Sequence, residues 1–155
     1  MLYATPYELI QQLPKGYRLL GIDPGSKQIG LALSDVSLML ASPFETIKRG
    51  KVAIFAQYIQ QLAQKEHVGG LVCGLPLSMD GDFGPAAQAA KDWISAVSIA
   101  SQLPACLWDE RLSSSAVNRF LIQEADLSRK KRNEVVDKLA ASYMLQAALD
   151  VAKNQ

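Results

Sequence analysis

Arg18-Leu-Leu-Gly-Ile-Asp-Pro-Gly-Ser-Lys-Gln-Ile-Gly-Leu-Ala-Leu-Ser-Asp35 reads as a strand, a tight turn and a second strand. Leu19, Leu20 and Ile22 form an apolar run, and Pro24-Gly25 signals a turn. Ile29, Leu31 and Leu33 then alternate with smaller residues at the period of a half-buried strand. Asp23 closes the apolar run. A carboxylate there must be solvated, hydrogen-bonded or bound to a cation, because burying it bare is costly. Capping of the turn by the Asp23 side chain is the simpler alternative.

Working outward, residues 39–47 form a third extended segment, which Pro43 marks as an edge strand. Lys51 to Glu66 carries Val52, Phe55, Ile59 and Leu62 at the spacing of an amphipathic helix. Gly69 to Cys73 is a short apolar strand, and a strand–helix–strand connection implies parallel pairing with a right-handed crossover. The longest loop, Gly74 to Pro85, leaves the C-terminal end of that strand, where ligands bind in open α/β sheets. Pro85 opens a helix with Ala86, Ala89, Ala90, Trp93, Ile94 and Val97 expected on its packing face.

Residues 104–108 form another strand, which runs into Asp109-Glu110-Arg111. Ser113 or Ser114 is expected to cap a helix bearing Val117, Phe120 and Leu121. A basic loop, Arg129-Lys130-Lys131-Arg132, precedes a final helix from about Asn133 to Lys153. Its expected packing stripe is Val136, Leu139, Ala140, Tyr143, Met144 and Ala147, with Asp137 at the border. Ahead of the hairpin, Thr5-Pro6-Tyr7-Glu8 starts a short helix ending near Leu13. Residues 1–17 are therefore read as an N-terminal extension of a single α/β domain spanning 18–153.

The chain's 155 residues suit one core and are too few for two full lobes. An apolar share of 49% with 20% charged residues is that of an ordinary globular protein. No apolar run approaches a membrane span, and the first residues lack the pattern of a signal peptide. Cys73 and Cys106 lie in apolar runs outside any Cys-x-x-Cys, as buried reduced thiols do, which fits the cytoplasm. Sixteen basic residues against 15 acidic leave a net charge of +1, so the molecule as a whole does not attract nucleic acid. Positive charge is nevertheless concentrated at Lys48, Arg49 and Lys51 and at Arg129–Arg132; such runs are solvated loops or phosphate contacts.

Asp23 and Glu110 terminate strands of one sheet, and Asp137 lies on a helix that must pack on it. With the two strands as neighbours, their carboxylates converge and the helix adds a third from the side. Hard oxygen donors with an incomplete protein shell are what Mg²⁺ or Mn²⁺ requires. Two such ions can activate water and stabilise the leaving oxygen of an in-line phosphoryl displacement. A one-residue shift at the strand end would exchange Glu110 for Asp109. Lys27 and Arg111 border the acids, either holding a phosphate or forming plain salt bridges with them. Asp35 reads as structural, with a supporting role at the site as the alternative. His67, the one histidine, reads as a surface residue.

Leu20-Gly-Ile-Asp-Pro-Gly-Ser-Lys-Gln-Ile-Gly-Leu-Ala-Leu-Ser-Asp35, Gly74-Leu-Pro-Leu-Ser-Met-Asp-Gly81 and Trp108-Asp-Glu-Arg-Leu-Ser113, with Asp137, closely resemble the YqgF (RuvX) family over about residues 18–150. The resemblance implies an RNase H-like fold, a mixed sheet with antiparallel first strands followed by parallel strands and flanked by helices. It implies a relationship to RuvC Holliday-junction resolvases and a nuclease for the 5′ end of pre-16S rRNA, in ribosome biogenesis. Asp23, Glu110 and Asp137 would be the catalytic metal acids. Lys27, Arg111, Arg129, Lys130, Lys131 and Arg132 would meet nucleic acid. Gln28 departs from the family pattern, which commonly has a second basic residue after Lys27.

Other classes remain. A catalytically weak nucleic-acid-binding module acting on ribosomal precursor particles would not need clustered acids. A sugar-kinase-like ATPase shares the Gly-x-Asp-x-Gly turn but needs two lobes. A Holliday-junction resolvase acting on branched DNA would need a dimer with two sites, whereas a monomer or weak dimer is expected here.

Overall fold

A computed structural model describes residues 1–25, 27–75, 84–109 and 129–154, the last segment with side chains from Leu139 onward. The elements are β1 (Leu2–Tyr3), α1 (Pro6–Gln11), β2 (Arg18–Pro24), β3 (Gln28–Ser34), β4 (Ala41–Lys48), α2 (Val52–Glu66), β5 (Val68–Leu75), α3 (Pro85–Ser101), β6 (Ala105–Asp109) and α4 (Arg129–Lys153).

One six-stranded sheet runs in the order β1-β6-β5-β2-β3-β4. The hairpin β2–β3 and the pair β3–β4 are antiparallel. β2, β5, β6 and β1 are parallel to one another. This is the mixed architecture the sequence implied. β5 is buried along nearly its whole length, as a near-continuous apolar run in a sheet covered on both faces should be. Pro43 lies on edge strand β4, where a missing N–H costs no ladder bond, and the β3–β4 register shifts beside it.

The pleat divides the core. Leu20, Ile22, Ile29, Leu31, Leu71 and Cys73 face α2 and α3, meeting Phe55, Ile59, Trp93, Ile94 and Val97. Leu19, Ala32, Val72 and Cys106 point the other way, onto Leu9 of α1 and Ala141, Met144, Leu145, Ala148 and Leu149 of α4. Both cysteines are buried thiols, as expected.

The helices differ from the sequence reading in detail. On α3 the buried apolar residues are Ala87, Ala90, Trp93, Ile94 and Val97, while Ala86 and Ala89 are exposed. On α4 Ala140 and Met144 are buried as expected, but the stripe is shifted by Ala141, Leu145, Ala148 and Leu149, also buried, while Tyr143 is 52% exposed. Ala and Leu occur all round this helix, so its sequence does not single out one face. Arg129–Arg132 form the first turn of α4 rather than a loop. Arg and Lys are good helix formers, and neither Gly nor Pro interrupts the chain from Arg129 to Lys153.

Residues 1–17 do more than flank the sheet. The Thr5 side chain accepts from the Glu8 N–H, as a helix cap should, and the Glu8 carboxylate accepts from Ala4 N–H. Leu2 and Tyr3 pair with Ala105 and Cys106, adding an edge strand that two residues of sequence could not signal. The helix expected after Ser113 lies outside the described residues.

Candidate active site

β2, β5 and β6 are parallel, so their C-terminal ends lie together. The same end of the sheet holds the β2–β3 turn, the end of β4 and the starts of α2 and α3. It is also where the chain leaves β5 at Leu75 and β6 at Asp109.

Asp23 stands at this end, opposite Gly30 of β3. Residue alternation puts it on the face of Leu19 and Gly21, and therefore on the α4 side. It is half-buried, and its carboxylate has no hydrogen bond or ion pair to any described residue. The Asp23 side chain thus makes no capping bond to the described residues of its own turn. A carboxylate without a partner among the described residues, at a water-accessible strand end, fits the oxygen donor that a divalent cation takes. No group of three metal-ligating side chains occurs among the described residues.

Gly21 brings α4 close. A Cβ at Gly21 would stand 3.0 Å from Leu145 Cβ and 3.2 Å from the Ala141 carbonyl oxygen. Farther along, Gln146 receives the Ala41 N–H at 2.8 Å and donates to the Met39 carbonyl at 2.9 Å, and Lys153 also donates to Met39. Met39 and Ala41 flank the end of the sheet at which β2 begins. Helix α4 therefore runs antiparallel to β2, and its N-terminal turns extend toward the Asp23 end. Asp137 lies on this helix one turn before Ala141.

The strand that precedes Glu110 in the chain does not adjoin the strand bearing Asp23: β5 lies between β2 and β6. The reason is topological. β3 occupies one side of β2 through the tight hairpin, and β5 occupies the other. Two strand spacings place the β2 and β6 ends roughly 10 Å apart. In β6, Cys106 and Trp108 face α4, whereas Leu107 faces the opposite core. Asp109 has the parity of Leu107, the face opposite Asp23. Glu110 and Arg111 lie outside the described residues, as do the side chains of Asp137 and of Arg129, Lys130, Lys131 and Arg132.

Lys27 is exposed on the turn beside Asp23. The turn is tight: Gly25 N–H donates to the Gln28 carbonyl at 2.9 Å, and a Cβ at Gly25 would collide with that oxygen. Arg49, which sequence reasoning placed only in a charge cluster, fastens the turn from outside. Its guanidinium donates to the Gly25 carbonyl at 2.9 Å, and its backbone N–H donates to the Lys27 carbonyl at 2.9 Å. The same guanidinium lies 5.0 Å from the centroid of the Trp93 ring, itself stacked on Phe55. Nothing in the spacing of Gly25, Arg49 and Trp93 announces this contact.

Asp35 and His67 lie at the other end of the sheet. The Asp35 carboxylate accepts from Ser37 Oγ and from Met39 and Leu40 N–H, which hold its pKa below the ordinary 3.8. It caps a turn and does not support the site. His67 is exposed and closes α2 in the left-handed conformation (φ 56°).

A family model described as "RuvX: Holliday junction resolvase" matches residues 17–151. A relative from Gluconacetobacter diazotrophicus named "Putative pre-16S rRNA nuclease" is 65% identical over 93% of this chain and 94% of its own. One of the same name from Gluconobacter oxydans is 59% identical over 96% and 93%. Among solved structures, T. thermophilus RuvC in complex with Holliday junction substrate aligns over 88% of this chain and 96% of that one. Its TM-score is 0.53 at 16% identity, a likeness of fold.

Proposed function

The chain belongs to the RuvX family, and from that membership we propose that it is a metal-dependent nuclease that hydrolyses phosphodiester bonds, processing the 5′ end of pre-16S rRNA. The observation that carries the chemistry is the half-buried Asp23 carboxylate, unpartnered among the described residues, at the loop-bearing end of an RNase H-like sheet. A binding module for anionic nucleic acid gains nothing from placing a free carboxylate there.

Asp23, Glu110 and Asp137 would hold Mg²⁺ or Mn²⁺. Glu110 is preferred to Asp109 because the parity of β6 assigns residue 109 to the far face. When bound, divalent ions supply Lewis-acid activation of water and charge stabilisation at the leaving oxygen. The chain's own part is to aim its carboxylates. Gly21 lets α4 approach β2, the glycine turn ends β2 just after Asp23, and Arg49 holds that turn. Lys27 would bind a phosphate oxygen next to the scissile bond, with Arg111 and the first turn of α4, Arg129–Arg132, contacting the backbone of structured RNA. No helix among the described residues is long and apolar enough to cross a membrane, and we place the protein in the cytoplasm with ribosomal precursor particles.

The test is cleavage of a labelled structured RNA containing the 5′ leader of 16S rRNA, with Mg²⁺, with Mn²⁺ and with chelator. A four-way DNA junction is the parallel substrate, because the family description names that activity. Metal-dependent cutting of the RNA that is lost in Asp23→Asn supports the proposal. Cutting of the junction alone replaces it with a resolvase.

A further inference from the structure

Lys27, Lys48, Arg49 and Lys51 come together at one corner of the sheet. Gln28 pairs with Lys48 across β3 and β4, so Lys27 and Lys48 occupy adjoining strand ends. Lys51 follows as the N-cap residue of α2. The three lysines are exposed. None of the four cations forms an ion pair with a carboxylate among the described residues. In a chain with 16 basic and 15 acidic residues, that is a local excess that no ion pair among the described residues compensates.

The spacing of these charges is fixed by the backbone. Arg49 N–H bonds the Lys27 carbonyl, its guanidinium bonds the Gly25 carbonyl, and the Trp93 ring holds that guanidinium in place. Arg49 is consumed as a fastener, leaving the three lysines to face solvent. Like charges held at close range repel one another, and a polyanion relieves that repulsion while releasing its own counterions.

We propose that Lys27, Lys48 and Lys51 form a phosphate track, which carries the nucleic-acid backbone away from Asp23 across the β3–β4 corner. The inference rests on the nuclease reading for its substrate, and it adds a second contact region on the side of Asp23 opposite β6. Lysines on a sheet corner offer point charges and no fork for base edges, so the track supplies affinity and direction without sequence choice.

The experiment measures binding by the full chain of the labelled 5′-leader RNA by fluorescence anisotropy, in chelator, across a salt series. Wild type is compared with Lys48→Ala/Lys51→Ala, with Lys48→Arg/Lys51→Arg, and with Lys15→Ala/Lys65→Ala. The last pair removes the same charge from exposed positions at the other end of the sheet. Loss of two phosphate contacts should lower the slope of log K against log salt by about 1.4–1.8. The arginine pair should keep the wild-type slope, and Lys15→Ala/Lys65→Ala should change it far less. Equal slopes for the two alanine pairs, or no RNA binding by wild type, overturn the track. Because the readout needs no metal and no cleavage, the altered slope can stand while the nuclease reading fails. Conversely, metal-dependent cleavage with an unaltered slope removes the track and leaves the nuclease.

Discussion

The Arg49 guanidinium reaches across from the end of β4 to the Gly25 carbonyl at 2.9 Å, closing the turn that follows Asp23. Its other side covers Trp93 at 5.0 Å. One residue thus joins the turn after Asp23 to the middle of α3. Arg49→Ala should lower stability by about 1–3 kcal/mol, the range for a hydrogen bond from a charged group together with a cation–π contact. Arg49→Lys should recover little, since an ammonium lacks the planar fork that both bonds and stacks. The urea midpoint of each variant checks this. Equal midpoints for wild type and Arg49→Ala would show that the contact contributes nothing.

Gly21 faces a similar constraint from the other side of the sheet. A methyl group added there meets Leu145 Cβ at 3.0 Å and the Ala141 carbonyl oxygen at 3.2 Å, which a helix backbone cannot easily yield. Gly21→Ala should destabilise by roughly 1–3 kcal/mol through overpacking, and Gly21→Val by more. Because α4 carries Asp137, the displacement should also reduce cleavage more than the stability loss explains. Denaturation and activity measured on the same preparations separate the two effects.

The acids make a sharper set. Asp23→Asn, Glu110→Gln and Asp137→Asn should each abolish metal-dependent cleavage without loss of fold, whereas Asp109→Asn should retain it. Retention in Glu110→Gln with loss in Asp109→Asn would reverse the parity assignment of the β6 end. Far-ultraviolet circular dichroism of each variant guards against a trivial loss of structure.

Acid sensitivity should arise partly from Asp35. Bonds from Ser37 Oγ and from the Met39 and Leu40 N–H groups favour the ionised carboxylate, so its folded pKa lies below the ordinary 3.8. The sign follows directly: the contribution is complete above that value and is lost as pH falls through the lower folded pKa. Asp35→Asn should therefore show a weaker loss of stability than wild type on the acid side. Parallel urea midpoints for the two proteins down to strongly acidic pH would contradict this.

Cys106 provides a probe of global opening. Burial pushes its thiol up to about 12, so it stays neutral and shielded at physiological pH. Alkylation of native protein by iodoacetamide should be slow and should accelerate with denaturant in step with unfolding. Rapid native labelling of Cys106 would mean that the sheet and α4 separate locally.

What the sequence determined by itself was the main strands and helices and the family. Period-two apolar runs, the Pro24-Gly25 turn and the spacing of three motifs specify a strand hairpin, parallel strands and helical covers, because these signals are local. Asp23 stood out for the same reason, as a charge at the end of an apolar run. Tertiary structure decided the rest. Only the sheet order shows that β5 separates β2, which bears Asp23, from β6, since pairing partners are chosen by long-range packing. Only the packing of Gly21 against Ala141 and Leu145 fixes which face of the alanine-rich α4 turns inward. Arg49 gives no sequence signal at all: its partners, Gly25 and Trp93, lie far away along the chain and meet it through the closing of the sheet corner.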